Sequence, residues 1–283
     1  SAYLAKQIIG EEAKSIPLIT TLHGTDITIV GSDPSYKNVV DFSINQSDGV
    51  TAVSEYLRNE TYERFDIRKD IEVIPNFIDL DRFKKSNKEH FKKAICPNDE
   101  KVVVHVSNFR EVKRVPEVVT IFKKILDGGI DAKLLLVGDG PDRQKAEQKC
   151  REYGICDKVR FLGKQDQVEE VLSIADLFLI PSGNETFGLA ALEAMSCSVP
   201  VISSDIGGLP ELIKHDETGY LCELDDVECM ADYGIKILSD EDEFERLSKN
   251  ARKRAEEYEI TKVVSQYEAY YEKLREELKA KVS

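Results

Sequence analysis

The chain has 283 residues, of which 41% are hydrophobic, and its formal net charge is −14. This length suits two domains better than one compact core, and the hydrophobic fraction excludes a disordered chain. The negative charge disfavours general binding of nucleic acid, because phosphate backbones are held by clustered lysine and arginine. A local cluster of cations is therefore more informative here than in a neutral protein.

The cysteines and the apolar runs limit the class of protein further. The six cysteines form no CxxC pair and no set with zinc-finger spacing, which predicts reduced thiols in a cytoplasmic protein. The start of the chain has no signal-peptide pattern, and no apolar run approaches the ~20 residues of a membrane span. We therefore expect no nucleic-acid partner and no membrane partner, and the sequence leaves a homo-oligomer open.

The N-terminal part of the sequence reads as an incomplete α/β domain. Strands are predicted at Pro17–Leu22, Gly49–Val53 and Ile71–Pro75, with a helix at Glu55–Phe65. These strands are too few for a complete sheet, and the first residues read as the middle of a helix. We expect the chain to begin inside a domain.

The next segment alternates β-branched runs with helical patterns. The predicted strands are Lys101–Ser107, Ala132–Val137, Lys158–Leu162, Leu177–Pro181 and Pro200–Ser203. Pro116–Leu126 and Asp142–Gly154 predict helices between them. Such alternation with short glycine-containing turns is typical of an open, doubly wound sheet, which binds ligands at the carboxyl ends of its strands.

Polar stretches and the charged tail suggest the domain bounds. The linker is predicted at Lys84–Glu89, followed by Cys96–Asp99. The sequence therefore predicts domains at residues 1–95 and 96–260, and a long charged helix at residues 261–283 with tyrosines at 267, 270 and 271.

The strongest chemical signal follows the strand that ends at Pro181. A helix is predicted to begin near Phe187, and its free N–H groups and positive dipole end suit a diphosphate. Gly188 is expected to let a phosphate approach the backbone without a Cβ in the way. Glu185 before the helix and Glu193 inside it suit sugar hydroxyls, those of a transferred hexose and of a ribose respectively. The alternative interpretation is a helix with an acidic first turn and one exposed glutamate.

A basic turn follows the strand that starts at Lys101. Arg110, Lys113 and Arg114 fall within five positions at the carboxyl end of this strand. An arginine fork and a lysine point charge both suit a pyrophosphate leaving group. A solvated basic turn is the alternative interpretation.

The histidines and glycine motifs give weaker signals. His23 follows a predicted strand and precedes Gly24, so it could hydrogen-bond a sugar or an acceptor, although a lone histidine is more often structural. His105 lies inside an apolar strand and is predicted to be a satisfied core residue, and Cys197 is not expected to be a nucleophile. The turn at Gly138–Pro141 lacks the second half of a dinucleotide fingerprint, and no Walker A lysine–serine pair occurs, which disfavours a dehydrogenase and a P-loop protein.

Together these motifs resemble the family-4 retaining glycosyltransferases of the GT-B fold over nearly the whole chain. The most specific parts are Glu185 and Glu193 with seven residues between them, the run Ile202–Pro210, the Gly138–Pro141 turn and Phe161–Gly163. The resemblance implies an α/β protein with two Rossmann-like, doubly wound domains that face a cleft. It also implies that the terminal helix crosses back to the N-terminal domain, and that this domain is truncated, since the family's first strand–helix units have no counterpart.

The resemblance assigns roles to particular residues. The first glutamate contacts the donor sugar, the second contacts the ribose, a basic pair grips the diphosphate, and uracil lies near Arg160–Gly163. The expected donor-binding residues are Ser107, Asn108, Arg114, Phe161, Leu162, Gly163, Asn184, Thr186, Phe187, Gly188, Leu189 and Glu193. The expected catalytic residues are His23, Arg110, Lys113 and Glu185, and the expected acceptor-binding residues are Thr25 and Asp26.

Finer features resemble one branch of this family, which transfers N-acetylglucosamine from UDP-GlcNAc to the hydroxyl of L-malate in the first step of bacillithiol synthesis. They are the stretches His23–Tyr36, Phe42–Ser54 and Ser107–Arg110, the last together with Lys113 and Arg114. The resemblance implies UDP-GlcNAc and L-malate as partners, retention of the anomeric configuration, and no required metal or other cofactor. Stabilisation of the leaving diphosphate by Arg110, Lys113 and the helix start would then be the main catalytic effect.

Two departures and two alternatives accompany this expectation. Asn108 stands where the family usually has arginine, so Arg110 must substitute, and Ser198 replaces a common glycine. The chain could instead be a family-4 transferase with another acceptor, such as a glycan or a lipid. It could also be a UDP-sugar-binding module without activity, because part of the N-terminal domain has no counterpart.

Overall fold

The structure is a computed structural model that describes residues 2–24, 27–28, 33–86 and 89–282. The chain divides into two compact units. The first contains Ser1–Phe77 together with Ile260–Ser283, and the second contains Ile78–Glu259.

The first unit contains a parallel sheet that has three strands in the described residues, in the order β1-β2-β3. The strands are β1 (Ile19–Leu22), β2 (Gly49–Ala52) and β3 (Ile71–Val73). The helices are α1 (Ala2–Ile9), α2 (Pro34–Asn45), α3 (Glu55–Arg64) and α12 (Ile260–Val282). α3 begins at Glu55 because the Ser54 side chain accepts a hydrogen bond from the Leu57 amide.

The terminal helix α12 is anchored on β2. The Tyr270 hydroxyl bonds both the Val50 amide, at 3.0 Å, and the Val50 carbonyl, at 3.2 Å. A Cβ on Gly49 would lie 2.2 Å from Leu274 Cδ1, so the absence of a side chain at this position lets α12 pack with Leu274 directly against β2. α12 is therefore part of the first unit.

The second unit contains a six-stranded parallel sheet in the order β6-β5-β4-β7-β8-β9. The strands are β4 (Lys101–Val106), β5 (Ala132–Val137), β6 (Val159–Gly163), β7 (Leu177–Ile180), β8 (Val201–Ser204) and β9 (Gly219–Cys222). The helices are α4 (Glu89–Ile95), α5 (Val115–Asp127), α6 (Arg143–Glu152), α7 (Val168–Leu172), α8 (Leu189–Ser196), α9 (Leu209–Leu212), α10 (Val227–Ser239) and α11 (Glu241–Ala255). The strand order reverses between β4 and β7, which makes their carboxyl ends the topological switch point.

The core of the second unit explains why β4 reads as a continuous apolar run. Val102, Val103 and Val104 are fully buried, since helices cover a parallel sheet on both faces. α5 turns its apolar side, which includes Phe122 and Ile125, into the same core. Fully burying each such side chain stabilises the fold by about 1.5–3 kcal/mol.

Two expectations from the sequence differ from the structure. The first boundary falls between Phe77 and Ile78 rather than after residue 95. Residues after Phe77 join the second unit because the Ile78 amide donates to the Tyr258 carbonyl and Lys92 pairs with Asp176. The predicted linker region also contains a helix, α4.

The cysteines are the second difference. Cys222 and Cys229 form a disulfide, so the expectation of reduced thiols is wrong for this pair. The chain turns back between β9 and α10 and brings the two Cα atoms to 6.0 Å, which is within bridging range. The thiols of Cys96, Cys150, Cys156 and Cys197 are free.

Candidate active site

The switch point of the second unit brings together the two motifs that the sequence singled out. β4 and β7 are direct neighbours, with Val103 opposite Leu177 and Val104 opposite Phe178. The basic turn, residues 107–114, follows β4, and the acidic loop, residues 181–188, follows β7. Parallel strands end at the same edge of the sheet, so both segments lie at its carboxyl edge.

An ion pair joins the basic turn to the acidic loop. The Lys113 ammonium lies 2.5 Å from the Glu185 carboxylate, and the Ser182 hydroxyl donates to the same oxygen at 3.1 Å. The Lys113 and Glu185 side chains are 21% and 13% exposed, so water screens their attraction only in part. The Gly183 amide also donates to the Val112 carbonyl at 2.8 Å. The two predicted motifs therefore form one contiguous site.

The paired glycines after β8 support the acidic loop from below. The Gly208 amide donates to the Glu185 carbonyl at 2.8 Å. A Cβ on Gly207 would lie 2.0 Å from that carbonyl oxygen, and one on Gly208 would lie 2.3 Å from the Thr186 oxygen. Larger residues at either position would force the loop that carries Glu185 to shift.

The start of α8 has no capping side chain and lies later than predicted. α8 begins at Leu189, two residues after the predicted Phe187, and its N-cap Gly188 makes no side-chain hydrogen bond. The first amides of α8 can therefore donate to a bound anion. Gly188 has φ +95°, and a Cβ there would lie 2.7 Å from Leu209, so backbone conformation and packing require this glycine.

Glu193 lies within α8 and is half-buried. Burial raises the pKa of its carboxyl to about 7, while the positive charge of Arg82 acts to lower it and the negative charge of Glu169 acts to raise it further. Arg82 in turn forms a 3.0 Å ion pair with Glu169. The carboxyl is thus poised to change its charge near neutral pH.

The turn between β5 and α6 closes against the start of the basic turn. The Gly138 amide donates to the Gly163 carbonyl at 2.8 Å, which ties β5 to the end of β6. A Cβ on Gly138 would lie 1.7 Å from the Ser107 oxygen, and one on Gly140 would lie 2.1 Å from the Asn108 oxygen. Phe161 lies under the Arg143 guanidinium, 5.6 Å from its ring centroid. The predicted uracil segment, which includes the half-buried Leu162, therefore adjoins the turn at Gly138, and that turn contacts the start of the basic turn.

The other cations of the basic turn are placed differently from Lys113. Arg110 and Asn108 are exposed to solvent. Arg114 has a left-handed backbone with φ +54° and pairs with Asp225. Among the three predicted cations, the structure therefore brings Lys113 into contact with a predicted glutamate.

The remaining predicted residues lie around these contacts or outside them. Asn184 and Thr186 are half-buried, Phe187 is buried, and Leu189 is 45% exposed at the start of α8. His23 follows β1 in the first unit and is exposed. The predicted acceptor-binding residues Thr25 and Asp26 lie outside the described residues.

Two residues that act on the predicted glutamates, Ser182 and Arg82, were not predicted from the sequence. Ser182 stands three positions before Glu185, so its hydrogen bond to that carboxylate could have been found from the motif itself. Arg82 acts on Glu193 from more than a hundred positions away, and no local pattern marks it.

His105 and Cys197 are buried, and burial raises the pKa of the Cys197 thiol to about 12, which fits the expectation that it is not a nucleophile.

Two features are absent from the described residues, a cluster that could hold a metal ion and a helix that could cross a membrane. No group of three or more histidine, cysteine, aspartate or glutamate side chains is arranged to hold a metal ion in this part of the chain. Within the same residues, no helix has the length and apolar character needed to cross a membrane.

Two α/β units with parallel sheets, one of which places a basic turn and a helix start at its switch point, are typical of the GT-B class of glycosyltransferases. Models of protein families agree with this class. Residues 86–254 match the family described as Glycosyl transferases group 1, and residues 1–82 match Glycosyltransferase Family 4. The chain belongs to the family described as Glycosyl transferases group 1, and it is a transferase enzyme.

Two relatives and one solved structure show which glycosyltransferases the chain is similar to. The chain is 49% identical to N-acetyl-alpha-D-glucosaminyl L-malate synthase of Bacillus anthracis, over 99% of this chain and 74% of the relative. It is 31% identical to an uncharacterised glycosyltransferase of Methanocaldococcus jannaschii, over 87% of this chain and 67% of the relative. Anabaena HepE, solved in complex with UDP and glucose, superimposes with a TM-score of 0.83 at 21% identity and covers 95% of this chain and 75% of its own. The expected GT-B fold is confirmed.

Proposed function

We propose that this glycosyltransferase moves N-acetylglucosamine from UDP-GlcNAc to the hydroxyl of L-malate with retention of the anomeric configuration. The observation that carries the proposal is the ion pair of Lys113 and Glu185 at the switch point, next to the start of α8. It places a cation for a diphosphate beside a carboxylate for a sugar. The 49% identity to the malate synthase of Bacillus anthracis supports the choice of donor and acceptor.

The donor would lie along the carboxyl edge of the second unit. Lys113 and the first amides of α8 would hold the diphosphate, and Glu185 would accept hydrogen bonds from hydroxyls of the sugar. Glu193, inside α8, would accept from the ribose. Uracil would lie near Phe161–Gly163, next to the turn at Gly138.

Departure of UDP would be the step that the site assists. The bond between the anomeric carbon and the diphosphate oxygen breaks, and the malate hydroxyl oxygen forms the new bond from the same face. The proton of that hydroxyl passes to the leaving diphosphate. Negative charge grows on the diphosphate as it leaves, and the Lys113 ammonium and the helix start stabilise it. Arg110, which is exposed on the same turn, would add a second cation, and His23 would hydrogen-bond the sugar or the acceptor.

We also propose that no metal or other cofactor is required, because lysine and helix amides supply the positive charge that a metal would supply in other transferases. Addition of a chelator should then leave the rate of transfer unchanged.

A turnover assay with UDP-GlcNAc and L-malate, run beside a panel of sugar and lipid acceptors, tests the proposal. We expect UDP release with malate and an α-linked glucosaminide as product. Activity that occurs only with the panel would replace malate by another acceptor. Calorimetry with UDP-GlcNAc would separate a module that binds without turnover from a chain that does not bind.

A further inference from the structure

His105 lies in the middle of the switch point and is fully buried in β4. Its Nδ1 lies 2.8 Å from the Leu179 carbonyl oxygen on β7, and its Nε2 lies 2.8 Å from the Ser107 hydroxyl. One imidazole ring therefore bridges the strand before the acidic loop and the first residue of the basic turn.

The partners fix the protonation of this ring. A carbonyl oxygen can only accept, so Nδ1 carries the hydrogen and Nε2 is the acceptor. Burial lowers the pKa of His105 to about 4, which keeps the ring neutral at physiological pH. The Ser107 hydroxyl then donates to Nε2, and its oxygen accepts from the Phe109 amide at 3.3 Å. The hydrogen bonds run in one direction from the Phe109 amide to His105 and on to the Leu179 carbonyl.

This chain of hydrogen bonds holds a turn with an unfavourable backbone. Phe109 is fully buried and has φ +44°, in the left-handed region that residues with a Cβ rarely adopt. Its carbonyl accepts from the Asp142 amide at 2.9 Å. The turn leads to Lys113, whose ammonium must meet Glu185.

We propose that His105 is a positioning residue for donor binding, which sets the basic turn against the acidic loop through Ser107. The proposal rests on the proposed function only for the identity of the donor. If the role of His105 were purely structural, its ring would only need to fill the space between Phe109 and Phe178. The centroids of these two rings lie 6.3 Å and 6.5 Å from the centroid of the His105 ring. Such packing would not depend on which nitrogen accepts a hydrogen bond.

Two substitutions with amide side chains test the two nitrogens of the ring separately. In His105→Asn the amide nitrogen can replace Nδ1 toward Leu179, whereas in His105→Gln the amide oxygen can replace Nε2 toward Ser107. We expect His105→Gln to keep UDP affinity within about threefold, and His105→Asn to lose about fivefold to tenfold, the effect of one hydrogen bond. Ser107→Ala, which removes the hydroxyl and leaves Nε2 of His105 unpaired, should show the same loss of UDP affinity.

Phe178→Leu is the matched control, because it removes packing against the same ring and leaves its hydrogen bonds intact. It should lower the melting temperature and leave UDP affinity unchanged. Calorimetry with UDP and thermal unfolding should be recorded for every variant. In the intact protein, the imidazole ¹⁵N shifts of His105 should show the tautomer with hydrogen on Nδ1.

Losses of affinity that follow the losses of melting temperature in all variants, Phe178→Leu included, would overturn the proposal, and so would an unchanged Ser107→Ala or hydrogen on Nε2. A wild-type chain that binds UDP but does not glycosylate malate would end the proposed function and leave this inference standing. A wild-type chain that does not bind UDP would overturn both.

Discussion

The second unit carries a six-stranded sheet with a fully buried core, whereas the first carries three strands in the described residues and exposes large apolar side chains such as Leu4, Ile8 and Phe42. Lys113, Glu185, Glu193 and the start of α8 all belong to the second unit. His23 belongs to the first. The difference teaches that donor binding should depend on the second unit, while transfer should also need the first.

The largest expected effect tests the contribution of the first unit. His23→Ala should lower the rate of transfer by about a hundredfold, the lower end of the range for removing one hydrogen-bond donor that acts in the transition state. UDP affinity should stay within about twofold, since the mutation leaves the basic turn and the acidic loop unchanged. Steady-state kinetics and calorimetry together measure both values. A parallel loss of UDP affinity would break the division between the units.

The second effect tests the cation at the switch point. Lys113→Ala should weaken UDP binding by about tenfold or more, because a charged hydrogen bond contributes about 1.5–3 kcal/mol. Lys124→Ala is the control, since Lys124 forms an exposed ion pair with Glu228 in the same unit. It should leave the titration curve unchanged. Equal affinities for the two variants would remove Lys113 from the donor site.

The third effect separates the sugar from the nucleotide within the second unit. Glu185→Gln should weaken UDP-GlcNAc binding by about tenfold, since the carboxylate accepts charged hydrogen bonds from the sugar. Affinity for UDP alone should hold or rise, because the substitution releases Lys113 from its ion pair. Competition between the two ligands, followed by calorimetry, gives both constants. A loss of UDP affinity as large as that in Glu193→Gln would contradict the separate roles.

The smallest effect concerns pH. The folded-state pKa of Glu193 is about 7 and its ordinary value is 4.5, so the folded protein binds this proton more tightly than the unfolded chain. Stability therefore falls as pH rises from 4.5 to about 7, and Glu193→Gln should gain melting temperature relative to the wild type above that range. Thermal unfolding at about pH 5 and about pH 8 measures this gain. A gain that is equal at both values would show that the carboxyl does not titrate there.

Ligand binding should show the opposite trend. Ribose hydroxyls donate to an ionised carboxylate more strongly than to a protonated one, so UDP-GlcNAc affinity should rise as pH passes through about 7. The sugar diphosphate has no proton to lose in this range. Glu193→Gln should bind with little dependence on pH, and a wild-type curve without a rise would argue against ribose at this carboxyl.

Much of the second unit could be predicted from the sequence. β5 was predicted with its observed bounds, and β4, β7 and α5 within one residue at each end, because buried parallel strands and amphipathic helices have strong periodic patterns. The rule that doubly wound sheets bind ligands at the carboxyl ends of their strands also indicated the edge of the sheet where the basic turn and the acidic loop lie. The contact between the two segments depends on β4 and β7 being neighbours, which only the structure shows.

The remaining features depend on contacts that no local pattern shows. The effect of Arg82 on Glu193 and the boundary at Phe77 arise when distant segments pack, whereas the disulfide of Cys222 and Cys229 depends on the reversal of the chain between β9 and α10. The structure explains the replacement at Ser198 better than the sequence does. This residue has φ +60°, a conformation that glycine adopts most readily, which explains why glycine is common there in the family. Gly188 was assigned to phosphate access, yet Leu209 and its own backbone require it.

Hydrogen–deuterium exchange of the whole chain, with and without UDP, tests most directly whether the second unit holds the donor. UDP should slow exchange at the basic turn, residues 107–114, and at the start of α8, where amides are expected to donate to the diphosphate. Exchange in β1–β3 should change little. Protection that falls mainly on the first unit, or that spares both the basic turn and α8, would contradict the account.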